Sequence, residues 1–364
     1  MADLQDHPYV APAAPLAVGE LDDSPSGAEA PAAAEVDIER ARVLLAAQLV
    51  VDGHNTLAQE LDRTLWHDLE HGASSLDTDI PRIRAGGVGA QFWSLHVAPD
   101  EAGSTERAVS GTLERIDAVR TLIAACPEAL RLALDARQMT EARDCGRIAS
   151  LLGPVAGTAL GDSLGTLRAY HALGVRSVSV AGTRWTAGGL TAFGEEAVRE
   201  MNRLGVLIDL SGASAATMRR VLEVTKAPVM LSRSAAGALT GHPANVADDV
   251  LRLLRANAGV CMVSFAPDQV VREGPATLRD VADHVEHVRE VAGPECVGLS
   301  GSYGAATDAP HTIGLEDASC YPNLLAELLH RDWQEADIAA LTWGNAARVV
   351  REAEGVAREA PYGT

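Results

Sequence analysis

The chain has 364 residues, 47% of them hydrophobic, with 50 acidic against 30 basic side chains and a net charge of −20. That is enough apolar chain for one large core. The acidic excess repels phosphate backbones and anionic lipid, so the expected partner is a small-molecule substrate, with no nucleic acid and no membrane.

Residues 1–36 are rich in Ala, Pro and acid and lack hydrophobic periodicity, which predicts a disordered tail before a single domain over 37–364. The opening MADLQDHPYVAPAAP has neither a basic n-region nor an apolar h-region, and no run reaches 18 apolar residues. Neither a signal peptide nor a membrane span is expected. Cys126, Cys145, Cys261, Cys296 and Cys320 are scattered, without a C-x-x-C spacing, which predicts reduced thiols and a cytoplasmic protein.

A helical period from Ile38 leads into an apolar run ending in Asp52-Gly53-His54. Further β-rich runs follow at 90–97, 130–134, 154–157, 177–181, 206–210, 228–232, 260–265 and 296–300. Amphipathic helical periods lie between most of them, including 194–204, 214–224, 246–256 and 278–291. Short apolar strands alternating with helices predict parallel βαβ units. Eight or nine such units without a Gly-rich dinucleotide fingerprint favour a (β/α)8 TIM-type barrel of the α/β class. Extra helices follow from Tyr321, with Trp333 and Trp343 as packing residues.

Barrel active sites lie at the C-terminal ends of the strands. Strand ends therefore nominate His54, Thr56, His96, Val155, Gly182, Gly212, Arg233 and Ser302. In PVMLSRSAAG an apolar strand finishes in Ser232-Arg233-Ser234, which aims a guanidinium either into the barrel mouth or outward to a loop carboxylate. His67-Asp-Leu-Glu70-His71 fits H-x-x-E-H but has no evident third ligand. His284 and His287 share one face of a helix read as solvated. No G-x-S-x-G, P-loop or reactive-cysteine pattern appears.

VVDGHNTL, TDIPRIRAGGVGAQFWSLHV, DSLGTLRAYHALGVRSVSV, GLTAFGEEAVREMNRLGVLIDLSGAS, APVMLSRSAA, HPANVADDVLRLL, HVEHVREVAG and GLEDASCYPNLLAELL occur in that order. In order and spacing the chain resembles the membrane (renal) dipeptidase family, peptidase M19-like, over about residues 40–355. The resemblance implies an amidohydrolase-type barrel. In that family, two zinc ions bridged by a carboxylate and a water cleave dipeptides with a free C-terminal carboxylate. It also implies a homodimer.

Carried over position by position, the resemblance keeps the zinc-binding His at His54 but puts Thr56 where the family has Asp. The bridging Glu falls on Val155, and other metal ligands fall on Gly182, Gly212, Arg233 and Ser302. The arginine expected to hold the substrate carboxylate falls on Ala244. One imidazole and two hydroxyls do not make a zinc site, and a guanidinium never ligates. The expectation is thus a divergent member without metal or other cofactor. Its predicted role is a non-hydrolytic isomerisation, elimination, cyclisation or cycloaddition in specialised biosynthesis; the alternative is a non-catalytic pseudo-dipeptidase acting as a binding or scaffold protein, and a third reading is an active metallodipeptidase with an unusual metal set. In the enzyme reading His54 is the general acid/base and Arg233 holds a carboxylate or an oxyanion, with Tyr303 as a third catalytic group. Thr56, Trp93, His96, Arg184, Trp185 and Ser302 bind substrate. The replacements at Val155, Gly182, Gly212 and Ala244 predict room for an apolar ligand bulkier than a dipeptide.

Overall fold

The computed structural model describes residues 32–61, 66–97, 103–305 and 308–360. The predicted tail falls largely outside these, but the first helix starts at Ala32, inside the stretch read as tail, and runs to Ala47.

Ten strands form one parallel sheet: β1 Val50–Asn55, β2 Val88–Trp93, β3 Leu130–Leu132, β4 Ile148–Leu152, β5 Val155–Ala156, β6 Ser177–Ser179, β7 Leu207–Asp209, β8 Met230–Ser234, β9 Val260–Ser264 and β10 Val297–Ser300. Their order is β3-β4-β2-β1-β10-β9-β8-β7-β6-β5. The chain itself joins the far ends, because β4 runs on through Gly153-Pro154 into β5. That stretch contacts β2 on one edge, where the Leu95 amide donates to Pro154 O at 3.0 Å. On its other edge Val155 pairs with Val178 and Leu152 bridges to Val175. With β4 and β5 counted as one strand, the pairings close a ring, and β3 extends its lower rim. The predicted (β/α)8 class is the observed one.

The run at 148–152 was not among the expected strands. Here it is an interior strand of the barrel, buried along its whole length. Strands covered on both faces lose the period-2 signature, so RIASLLGP reads only as a short apolar stretch.

Local signals set the helix ends. Ser214 caps Ala215–Val224 by accepting from the Thr217 amide, and Thr277 and Asp280 form a capping box at Leu278–Ala292. Ala192–Leu204 stops at Gly205, whose φ of 70° suits a left-handed terminus.

The last helix, Asn345–Glu359, closes the bottom of the barrel. Ala346, Val349, Val350 and Ala353 belong to one buried cluster with Val51, Leu207, Met230 and Val260, which sit at the N-terminal ends of their strands. Asn345 donates to Pro294 O and Val297 O at 2.7 and 2.8 Å, tying this helix to the start of β10. Trp333 is buried and Trp343 half-buried; Arg289 and Arg143 stack over their respective rings. With the bottom plugged, the opposite mouth is left for a ligand. Among the described residues no helix is long and apolar enough to cross a membrane.

Candidate functional site

A pocket of about 330 Å³ opens at the carboxyl ends of the strands, lined by His54, His96, Ser179, Asp209, Ser211, Gly212, Ser232, Arg233 and Ala244. The residues come from β1, β6, β7 and β8 and from the loops that follow β2, β7 and β8.

Asp209, the last residue of β7, sets the floor. It is buried and accepts hydrogen bonds from the Ser211 amide (3.0 Å), the Ser211 hydroxyl (2.7 Å), the Ser232 amide (2.9 Å) and the Ser232 hydroxyl (2.9 Å). These four bonds fix the carboxylate and leave it little freedom to turn toward a ligand. The Ser211 hydroxyl also accepts the Arg233 amide at 2.9 Å, which fixes the backbone at the root of the arginine.

Regular alternation would place Ser232 and Arg233 on opposite faces of β8. The register of β8 against β9 shifts between Leu231 and Ser234, and both residues line the pocket. The Arg233 side chain is exposed at the rim, and among the described residues its guanidinium has no carboxylate partner. Of the two outcomes open for this arginine, the structure takes the barrel mouth.

His54 is buried at the end of β1, and its Nδ1 has no hydrogen-bond partner among the described residues. The half-buried His96 meets it edge-on, with ring centroids 6.4 Å apart, and its Nε2 is likewise unpartnered among the described residues. Burial, then the Arg233 charge, then His96 hold the His54 imidazole well below its ordinary 6.5. Burial lowers His96 to about 4, Asp209 opposing and Arg233 adding to the shift. Both rings are neutral at pH 7 and can accept or donate at the pocket.

Three expected residues, His54, His96 and Arg233, thus converge. The others lie elsewhere. Tyr303 is buried and its hydroxyl donates to Leu315 O at 3.1 Å, within a cluster with Phe265 and Tyr321. Burial drives its pKa well above 10. Thr56 donates to Tyr303 O at 3.2 Å, stitching the β1 and β10 loops together. Ser302, at φ 56°, shares hydroxyl contacts with Ser264 and Ser300 at 3.2 and 3.4 Å. Trp93 is sealed in the core at 1% exposure. Trp185 packs edge-on against Phe193 beneath a turn tied by Thr183 and Thr186, while Arg184 points outward to Asp162 at 2.5 Å. The tryptophans turned inward because burying such rings outweighs lining a wet mouth.

The expected room for an apolar ligand is also corrected. Gly212 and Ala244 do line the pocket, but most of the remaining wall is His, Ser, Asp and Arg. Val155 is fully buried, and Gly182 lies outside the lining. Asp209, Ser211 and Ser179 were missed, although the polar ends of the apolar runs LID and SVS were their available signal.

Glu70 and His71 of the H-x-x-E-H run are exposed. His284, expected on a solvated face, is buried instead: its Nδ1 accepts the Ala236 amide at 3.0 Å and its Nε2 bonds Val270 O at 3.1 Å. All five cysteines are free thiols. Among the described residues no three or more His, Cys, Asp or Glu side chains are grouped to hold a metal ion.

The family model for membrane dipeptidase (peptidase family M19) matches residues 38–362. The chain belongs to that family. It is 40% identical over 340 residues to Dipeptidase 3 of Macaca fascicularis, covering 88% of this chain and 68% of that protein. It is 38% identical over 336 residues to Dipeptidase aclJ of Aspergillus oryzae, covering 85% and 79%. Among solved structures, the probable dipeptidase PvdM from Pseudomonas aeruginosa superposes with a TM-score of 0.79 at 19% identity, covering 88% of this chain and 99% of that one. A metallo peptidase from Rhodobacter sphaeroides, liganded with a phosphinate mimic of the dipeptide L-Ala-D-Ala, superposes at 0.76 and 21% identity, covering 84% and 99%. At these identities the structures establish the shared amidohydrolase-type barrel.

These relatives correct the functional expectation. A non-hydrolytic isomerase, lyase or cyclase, or a non-catalytic scaffold, was expected from the residues around His54. Proteins about 40% identical over most of the chain are instead dipeptidases by name.

Proposed function

We propose that this member of the dipeptidase family hydrolyses the amide bond of dipeptides, or of small dipeptide-like amides, at the pocket between His54, His96 and Arg233. The observation that carries the reading is the 40% identity to Dipeptidase 3 over 88% of the chain. A small, largely polar pocket at the active end of a barrel supports it.

The family fold implies a pair of zinc ions, and the pocket residues do not fit one. Asp209 already accepts four hydrogen bonds, three of them on Oδ1, Arg233 cannot ligate, and the remaining nitrogens belong to two imidazoles. The reading of a divergent zinc-ligand set rests on this donor chemistry. The chain's own groups act as follows. Neutral His54 takes a proton from the water that attacks the amide carbon and returns it to the amide nitrogen as the C–N bond breaks, releasing acid and amine; acid–base assistance of this kind is worth roughly 10²–10⁴ in rate. Asp209, through Ser211 and Ser232, holds the rim backbone that carries Arg233. The narrow pocket positions the amide near the imidazole.

A panel of unblocked L,L- and L,D-dipeptides, with chromatography of the released amino acids, tests the reading. Wild type should release both amino acids, and His54→Ala should lose at least 100-fold in kcat/KM. Intact dipeptides after prolonged incubation, with and without added zinc, would overturn it.

A further inference from the structure

We propose that Arg233 is the carboxylate anchor of this pocket, so that the ligand is held by its acidic end at the β8 rim.

Four observations carry this. First, the guanidinium stands at the rim without an ion-pair partner among the described residues, whereas many other arginines of the chain pair with a carboxylate, as Arg184 does with Asp162. Second, the pocket's own carboxylate is not free to neutralise it. Both oxygens of Asp209 are engaged by Ser211 and Ser232, whose hydroxyls donate inward to it and away from a ligand. Third, the position is built. The register shift in β8 brings Arg233 onto the same wall as Ser232, and the bond from its amide to the Ser211 hydroxyl pins the backbone. Fourth, His54, 96% buried, lines the same cavity with an unpartnered Nδ1.

A fixed cation beside two neutral imidazoles calls for a small anion. A planar carboxylate matches the two-pronged face of a guanidinium. Ala244, also in the lining, is small and uncharged, so it offers the anion no second anchor and leaves space for a side chain. The inference rests on the dipeptide reading for the identity of the ligand, since an unblocked dipeptide carries one carboxylate. The anchor itself requires only the acid group.

The test is calorimetric binding of a non-cleavable dipeptide with a reduced CH2–NH linkage, compared with its C-terminal carboxamide. The added amine is common to both probes and cancels. Wild type should bind the acid at least 10-fold more tightly than the carboxamide. Arg233→Met should bring the acid down to the carboxamide's affinity while leaving the carboxamide unchanged, and Arg233→Lys should retain part of the preference. Because Arg233 is exposed, a melting curve unchanged from wild type will certify that the variant is folded.

Equal binding of acid and carboxamide by wild type, an acid preference that survives in Arg233→Met, or no binding of either probe would each overturn the anchor. Arg233-dependent acid binding by a protein that leaves every dipeptide intact would uphold the anchor and overturn the dipeptidase reading.

Discussion

Asp209 and Ser232 are joined twice: the Ser232 amide donates to one carboxylate oxygen and its hydroxyl to the other, each at 2.9 Å. The pairing locks the end of β7 to the end of β8 and holds Arg233 at the rim. Asp209→Ala would orphan two amides and two hydroxyls and should cost about 3 kcal/mol or more in urea unfolding. Asp209→Asn should cost less than half as much. Its carbonyl oxygen keeps both amides, and the Ser232 hydroxyl can rotate to accept from the new NH2. Equal losses in the two variants would mean that the negative charge matters more than the acceptors.

Gly53 lies where β1 packs tightly against β8 and β9. A Cβ there would sit 2.6 Å from Ser232 O and 2.7 Å from Met262 Cβ, and neither is the free end of a flexible side chain. Gly53→Ala should therefore destabilise the protein by roughly 2–3 kcal/mol. It should also shift His54 away from Arg233 and lower kcat/KM by more than the stability loss explains. Thermal melting and kinetics on the same preparation check both effects.

Tyr303 separates the corrected site from the expected one. Its hydroxyl serves Leu315 O within an aromatic cluster, so Tyr303→Phe should cost about 1 kcal/mol of stability and leave kcat unchanged. A large fall in kcat would return Tyr303 to the reacting groups.

His284 gives a pH dependence with a definite sign. Burial lowers its pKa below 6.5, so between that folded value and 6.5 the unfolded chain binds the extra proton. Its stabilising contribution is complete above pH 6.5 and is lost as pH falls through that window, because a protonated Nδ1 would point a second N–H at the Ala236 amide. His54 and His96 act in the same direction, and Asp52, raised to about 7 by burial, acts in the opposite one. The comparison must therefore be made with a variant. The urea midpoint of wild type should fall more steeply from pH 6.5 to 5 than that of His284→Gln. Parallel curves would show that His284 does not titrate with unfolding.

Much of the architecture was legible in the chain alone. The alternation of apolar runs with amphipathic helices specified a parallel barrel, because each helix needs a sheet face to bury its stripe. Strand ends then pointed to His54, His96 and Arg233 with no knowledge of their neighbours, since barrel topology puts all strand ends at one mouth. The helical periods at 214–224 and 278–291 marked helix starts to within a residue, because such periodicity is local by nature.

What only the tertiary structure decided was direction. Strands buried on both faces carry no alternation to say which side chains look into the mouth, so Asp209 and Ser179 went unnoticed while Trp93 and Trp185 were assigned there. The register shift that turns Arg233 toward the pocket, the two hydrogen bonds from Ser232 that occupy Asp209, and the capture of Tyr303 by Leu315 are contacts between residues far apart in the chain. Sequence order holds no information about such contacts until the ring closes and brings β7, β8 and the β10 loop within hydrogen-bond reach of their partners.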